Sequence, residues 1–205
     1  MSFVKAVRSP FELFKARTSA EPKVDEPGAD WSPDCFDFRD YWSSLRGDGV
    51  CTTSDAFLDS PSPRFAGHVF IIEFLDGAPV VRLQGTRLEQ TWSRDLTGGD
   101  FFPGRSHRFR AAGIANLTSV LSHPCGHLAR SSYATSTGRK LTSDWIFLPL
   151  AVRQERAPRV VGAVFQQGGR GNYSDVGIHH FELHKLEWLD IGHGVPSAPP
   201  AALAD

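Results

Sequence analysis

Residues 68–85 read HVFIIEFLDGAPVVRLQG, two apolar runs on either side of the pair Asp76-Gly77. Valine, isoleucine and phenylalanine favour strands, and Asp-Gly between two such runs is a strong turn signal. The stretch therefore predicts a β-hairpin. The interval from Asp76 to Pro79 has four residues if all of it is loop, which leaves the turn type open.

A helix is predicted on the N-terminal side of this hairpin. Phe38, Tyr41, Trp42 and Leu45 are spaced i, i+3, i+4 and i+7, which places them in one stripe on a helix. Gly47 is a fitting helix stop. The loop that follows, up to the hairpin, is rich in Ser, Pro and Asp and shows no obvious second helix.

Beyond the hairpin, Gly and Pro are so frequent up to residue 104 that only short helical turns are expected. A longer helix is predicted over residues 105–122, and strand-like segments follow it. These segments are residues 128–135, 139–152, 159–167 and 181–191. The third is apolar on both faces, as expected of a central strand.

This order of elements predicts an α+β domain. Its core is a five-stranded antiparallel sheet with helices packed on one face, plus the N-terminal helix. A parallel α/β sheet would need regular alternation of strands and helices, which the pattern lacks.

The composition indicates one globular domain with extensions. The 205 residues are 40% hydrophobic and 22% charged, which is ordinary for a protein with a packed core. The net charge is -1, from 22 basic and 23 acidic residues. No basic excess is available to neutralise a phosphate backbone, so the sequence predicts no nucleic-acid partner.

The cysteines and the apolar segments predict a cytoplasmic location. Cys35, Cys51 and Cys125 are odd in number and widely spaced, as expected of free thiols in a reducing compartment. No segment approaches the roughly 20 apolar residues that cross a bilayer, so no transmembrane segment is predicted. Lys5 and Arg8 interrupt the first residues, which argues against a signal peptide.

Three zones are predicted along the chain: a leader over residues 1–34, a folded domain over 35–192 and a disordered tail over 193–205, which is rich in Pro and Ala. The leader is either a frayed terminus or a basic amphipathic helix that lies on a membrane or a partner. The residues of that helix are Phe3, Val4, Val7, Phe11, Leu13 and Phe14, interleaved with Lys5, Arg8, Lys15 and Arg17.

Four short motifs occur in a recognisable order along the chain. They are Tyr-Trp-Ser-Ser-Leu-Arg at 41–46, Arg-Leu-Gln-Gly-Thr at 82–86, Asp-Leu-Thr-Gly at 95–98 and Leu-Pro-Leu at 148–150. With these motifs, residues 36–192 resemble the stand-alone PAS domain proteins of alphaproteobacteria. The resemblance implies a PAS-like sheet and a sensory or regulatory role without a kinase or cyclase.

A PAS sheet can enclose a pocket between its strands and its helices, lined by alternate strand residues. The candidates for such a pocket are Phe70, Ile72, Val81, Leu83, Phe109, Asn116, Val120, Trp145, Phe147, Ala163 and Phe165. Plain core packing is the alternative for the apolar members of this set. Asn116 stands out because a buried amide needs hydrogen-bond partners.

The candidates for partner docking and for metal binding are different residues. Helices that flank a PAS sheet often serve association, so Tyr41, Trp42 and Leu45 are candidates for docking another protein or a second copy in a homodimer. His123, Cys125 and His127 carry donor types that suit zinc. A tetrahedral site needs four ligands and no second pair is evident, so no metal is predicted there. His179, His180 and His184 form a second histidine group, for which solvated or satisfied side chains are expected.

No cofactor follows from the sequence. The Asn-Cys-Arg-Phe-Leu-Gln stretch of flavin photoreceptors is absent, and His107 and His123 lack the context of a haem ligand. Gln166-Gln167-Gly168-Gly169-Arg170-Gly171 lacks the Gly-Lys-Ser/Thr of a phosphate loop.

The sequence therefore predicts a non-catalytic regulatory module that binds a protein, itself or a small apolar ligand. Two alternatives stay open: a small-molecule enzyme on a cone-shaped α+β scaffold, and a purely structural interaction protein. An ordered pocket with a histidine or carboxylate beside Asn116 would favour the enzyme.

Overall fold

The computed structural model describes residues 30–135, 140–153, 156–167 and 178–203. The predicted leader helix falls on residues 1–29 and lies outside this part. The helices and strands are α1 Pro33–Ser44, α2 Ser54–Asp59, β1 Val69–Leu75, β2 Ala78–Gln84, α3 Thr86–Trp92, α4 His107–Ser122, β3 Gly126–Thr135, β4 Lys140–Leu150, β5 Arg159–Gln167 and β6 Ile178–Leu189.

The strands form one sheet in the order β2-β1-β5-β4-β3-β6, and every neighbouring pair is antiparallel. This confirms the predicted α+β class with an antiparallel sheet. The predicted hairpin is β1 and β2, closed by the pair Leu75 and Ala78. Its loop is therefore the two residues Asp76 and Gly77, whose φ angles are both positive, at 50° and 80°. Two positive φ angles are the mark of a type I′ turn.

The sheet has six strands rather than the five expected. All four strand-like segments after the long helix are strands, so with the hairpin the expected count of five was one too low. The last segment, β6, pairs with β3 from Gly126 opposite Leu189 to Thr135 opposite Ile178. As an edge strand, β6 carries partly or fully exposed polar residues such as Glu182, His184 and Lys185. Because of these polar residues, the alternation of apolar and polar side chains along β6 is weak in the sequence.

Helices cover both faces of the sheet. The face of Ile71, Leu128 and Ile146 packs against α1 and α2, whereas the face of Ile72 and Phe147 packs against α3 and α4. The helix α2 was not predicted, although Thr53 provides an N-cap whose hydroxyl accepts from the Ala56 amide at 3.1 Å.

The apolar stripe of α1 packs on the protein's own sheet. Phe38 and Trp42 are fully buried, and the indole Nε1 of Trp42 donates to the Pro149 carbonyl at 3.1 Å. Tyr41 and Leu45 are partly buried against the same cluster. The prediction that Trp42 is available to a partner is therefore wrong, because a helical stripe of this kind buries against whichever sheet face lies nearest.

The folded domain already includes residues that the sequence assigned to the leader. The indole of Trp31 is buried, and its Nε1 donates to the Glu187 carboxylate at 2.8 Å. The backbone amide of Ser32 donates to Asp144 at 2.8 Å. Asp144 is fully buried and also accepts from Arg130 at 2.6 Å, so it joins the chain before α1 to two strands.

The segment after β6 also differs from its prediction. The Asp190 carboxylate accepts from the amides of Gly192, His193 and Gly194 at 2.7 to 3.0 Å and so turns the chain back. Residues 194–203, which we call the strap, then run along α4, where Asn116 holds Ala201. A disordered tail was expected here from composition alone. No helix in the described residues has the length and hydrophobicity to cross a membrane.

Candidate ligand cavity

A cavity of about 330 Å³ lies between the sheet and the α3–α4 side of the molecule. Its walls come from β3, β4, β6, α3, α4 and the segment that joins these two helices. The strap closes part of it, because the Leu203 side chain is among the lining groups. The cavity is within the size range of small-ligand pockets, at its small end.

Four rings form a continuous stack along one wall. Trp92 stacks on Trp145 with centroids 5.7 Å apart, Trp145 on Phe147 at 6.3 Å, and Phe147 on His127 at 5.6 Å. The interplanar angles are 14°, 9° and 24°. The Trp145 indole is fixed by a 2.8 Å hydrogen bond from Nε1 to the Ser131 hydroxyl. Such a wall presents flat aromatic surface whose position is set by the sheet.

The predicted pocket residues divide between the two faces of the sheet. Phe109, Asn116, Trp145 and Phe147 line the cavity. Four others, Phe70, Ile72, Val81 and Val120, are buried away from the lining. Phe70, Ile72 and Val120 belong to the apolar cluster on the cavity side, and Val81 is paired with Ile72 across β1 and β2.

Leu83, Ala163 and Phe165 face α1 instead, so their assignment to the pocket is wrong. The cause on β2 is an irregularity in the pairing with β1, since Ile72 pairs with Val81 but Ile71 pairs with Leu83. The extra residue shifts the alternation by one position. On β5 the run is apolar on both faces, so hydrophobicity could not identify the cavity side.

His127 is one of the polar residues that the sequence did not place in the pocket. Its side chain lines the cavity, is 3% exposed, and its Nδ1 lies 3.2 Å from the Glu187 carbonyl. Burial lowers the pKa of His127 to about 4, so the imidazole is neutral at neutral pH. A carbonyl partner requires the proton on Nδ1, which leaves Nε2 as an acceptor. Among the described residues, Nε2 is not one of the buried side-chain atoms that lack a hydrogen-bond partner.

Alternation along β3 could have identified His127. The strand residue Ala129 lines the cavity and Leu128 packs against the α1 face, so residue 127 belongs with Ala129. The sequence instead groups His127 with His123 and Cys125, as residues whose donor types suit zinc. Arg94, Arg105 and Tyr133 were also missed, because they enter the cavity from loops or from far along β3.

The residues His123, Cys125 and His127 do not form a metal site. Across the described ranges, no group of three His, Cys, Asp or Glu side chains is arranged to hold a metal ion. Burial raises the pKa of the Cys125 thiol to about 12, which opposes the thiolate that zinc requires. His184 contacts the Ser132 hydroxyl at 2.7 Å, and the side chains of His179 and His180 lie outside the described part.

Asn116 lines the cavity, and its side-chain amide holds the strap. Nδ2 donates to the Ala201 carbonyl at 2.9 Å, and Oδ1 accepts from the Ala201 amide at 2.7 Å. The buried amide therefore has the partners that burial demands.

An antiparallel sheet with helices on both faces and a ring-lined cavity on one of them is an α+β architecture, without the parallel strands of a doubly wound nucleotide-binding fold. The comparison with family profiles agrees: the profile of the PAS domain matches residues 32–165. The chain belongs to the PAS domain family. Members of this family generally act in sensing and regulation, bind small ligands or other proteins, and are generally non-catalytic.

A comparison with curated proteins finds a shorter similarity. Over 82 residues, 40% of this chain, the sequence is 32% identical to the shikimate dehydrogenase (NADP(+)) of Methanothermobacter thermautotrophicus. The matched stretch spans 28% of that enzyme's length. A match of this extent does not show an enzymatic function for this chain.

Proposed function

We propose that this chain is a cytoplasmic sensory PAS module that binds a small ligand in the ring-lined cavity and has no catalytic output. The four sequence motifs support a place among the alphaproteobacterial PAS proteins that they resemble. The observation that carries the proposal is the 330 Å³ cavity, walled by stacked rings that include the buried imidazole of His127.

The lining has the composition of a small-ligand site. Most of its side chains are aromatic or aliphatic, and a few polar groups such as Asn116 and His127 lie among them. A concave, mostly apolar surface with a small number of polar groups is the form that small-ligand sites take. These features favour a site that is completed by a ligand.

Ligand binding would be transmitted through the strap and α4. Leu203 of the strap lines the cavity, and the same segment is tied to α4 through Asn116 and to β6 through Trp188, whose Nε1 donates to the Ala198 carbonyl at 2.8 Å. A ligand that contacts Leu203 more favourably in one strap position shifts the population of that position. The surface made by α4 and the strap would then differ for a protein partner or a second copy.

The enzyme alternative is favoured by one observation, the presence of His127 in the same cavity as Asn116. Its chemistry argues for binding instead. A pKa of about 4 makes His127 a weak base at neutral pH, and the Asn116 amide is committed to the strap. No carboxylate is among the described groups that line the cavity.

Native mass spectrometry of protein purified from its own cells tests the proposal. We expect a bound small molecule in the wild type and its loss in the variants Ala129→Phe and Leu183→Trp, which place a ring in the cavity from β3 and β6. Two filling variants are used so that a folding defect in one does not decide the result. Retention of the same molecule by both folded variants would refute the cavity as its site.

A further inference from the structure

We infer that the strap also binds in trans: two copies of this chain exchange their straps, and each strap lies on the strap site of the other copy. The strap site consists of Asn116 on α4 and Trp188 on β6, which hold the strap of their own chain in the structure. The exchange does not depend on a ligand in the cavity.

The strap site contacts the strap through backbone groups. The indole Nε1 of Trp188 donates to the Ala198 carbonyl at 2.8 Å, and Nδ2 of Asn116 donates to the Ala201 carbonyl at 2.9 Å. The Ala201 amide in turn donates to Oδ1 of Asn116 at 2.7 Å. An identical strap from a second copy makes the same three hydrogen bonds, so the exchange conserves them.

The strap site favours an occupant over an open state. Asn116 is 2% exposed, and both polar atoms of its amide are bonded to Ala201. A buried amide that loses its partners costs free energy unless water or another chain replaces them. A strap that has left is therefore readily replaced by a segment that offers a carbonyl and an amide in the same arrangement.

The spacing of the contacts selects an extended, proline-rich segment. Ala198 and Ala201 are three residues apart, and Pro199 and Pro200 lie between them. Prolines favour the polyproline II conformation, which repeats every three residues and makes no internal hydrogen bonds. The backbone groups of such a segment are free to bond to side chains of the strap site. The strap of a second copy has this composition and spacing.

The strap can leave its own chain at low cost. Every residue from 192 to 203 is exposed or only partly buried, and segments that bury few side chains open with a small free energy. Gly192 and Gly194 precede or begin the strap with φ angles of 103° and 76°. Glycine adopts many other backbone conformations without strain, so these two residues form a hinge.

The turn at Asp190 sets the balance between the two arrangements. Its carboxylate accepts from the amides of Gly192, His193 and Gly194 and directs the strap onto its own chain. A short tether of this kind gives a strap an effective concentration on the order of 1 mM at its own strap site. Reciprocal exchange then produces a two-fold dimer as the chain concentration approaches that value. Weakening the turn favours the dimer.

Sedimentation equilibrium of the full chain from about 20 µM to about 1 mM tests the exchange. We expect the wild type to be monomeric at the low end and to form a dimer towards the high end. Asp190→Ala removes the acceptor of the turn and leaves the strap site intact, so it should lower the dimer dissociation constant by about fivefold or more. Asp190→Asn keeps an acceptor oxygen and should behave as the wild type.

Variants of the strap site assign the dimer to the strap. Added to Asp190→Ala, both Asn116→Ala and Trp188→Phe should restore the monomer, while Thr118→Ala, at an exposed position of α4, should leave the dimer in place. Two strap-site variants are used so that a folding defect in one does not decide the result. An excess of a synthetic peptide of residues 194–203 should dissociate the dimer, because it competes for the strap site.

Three results would overturn the exchange. The first is a dimer that persists in both strap-site variants, and the second is a dimer that the peptide leaves intact. The third is an Asp190→Ala chain that stays monomeric at every concentration. If that monomer still binds the peptide, the strap site takes a proline-rich segment of a different protein instead of a second copy.

Discussion

Asn116 and Ala201 exchange two hydrogen bonds across 85 positions of the sequence. The side-chain amide of Asn116 satisfies both the carbonyl and the amide of Ala201, as a neighbouring strand would. Because Asn116 and Leu203 both line the cavity, this pair places the strap where a ligand can contact it. The relationship explains how a segment rich in proline and alanine is held without a core of its own.

Replacing Asn116 with Ala should release the strap. Both hydrogen bonds are lost, and at about 1 kcal/mol each the local opening free energy falls by about 2 kcal/mol. Hydrogen exchange of amides in residues 198–203 should then accelerate roughly thirtyfold. Thr118→Ala, at an exposed position of the same helix, is the matched control. Unchanged exchange in Asn116→Ala would show that the strap is held by other contacts.

Replacing Asp144 with Asn should destabilise the whole domain. This fully buried carboxylate accepts from Arg130 at 2.6 Å and 2.9 Å, from Ser32 at 2.8 Å and from Gln167 at 2.7 Å. Removing one member of a buried ion pair costs about 3 kcal/mol or more, which urea denaturation measures.

Asp55→Asn is the control for that measurement. Asp55 pairs with Arg153 at 3.2 Å and Arg156 at 3.0 Å on the surface, where such pairs contribute less than about 1 kcal/mol. Equal losses of stability in the two variants would contradict the central role of Asp144.

His127 should make the domain less stable in acid. Burial lowers its folded-state pKa from 6.5 to about 4, so the unfolded chain binds more protons between these values. Stability is therefore fully present above about pH 6.5 and falls by about 3 kcal/mol as the pH drops to about 4. His127→Gln should lack this component, whereas His107→Gln, at an exposed position, should retain it. Identical pH profiles of unfolding for His127→Gln and the wild type would exclude His127 as the source.

The three cysteines should be unreactive in the folded protein. Cys35, Cys51 and Cys125 are all free and buried, and burial raises the pKa of Cys51 and of Cys125 to about 12 and that of Cys35 further. The thiolate is the reactive form, so Ellman's reagent should react slowly in native buffer and with three thiols in urea. A rapid reaction of one thiol in native buffer would show that a cysteine is accessible.

The parts of the fold that depend on local sequence could be predicted. Asp76 and Gly77 identified the hairpin because Asp-Gly suits two positive φ angles. The apolar stripe of Phe38 and Trp42 identified α1 because its spacing matches a helical face. The same pattern could not show which surface the apolar face of α1 packs against, so Trp42 was wrongly predicted to dock a partner.

The parts that depend on distant contacts could not be predicted. The irregular pairing of β1 with β2 reversed the side on which Leu83 lies, and no residue type marks it. The strap depends on Asn116 and Trp188, neither of which adjoins it in sequence. Alternation along β3 groups His127 with Ala129, but which face of the strand lines the cavity is fixed only by the pairing of β3 with β4 and β6.

Titration with the neutral fluorescent dye aminoanthracene tests the central claim, that the ring-lined cavity is a ligand site. The account predicts saturable binding of one dye per chain in the wild type, and loss of that binding in Ala129→Phe and Leu183→Trp with their thermal unfolding still cooperative. Equal dye binding by the wild type and both filled variants, or none by the wild type, would contradict it.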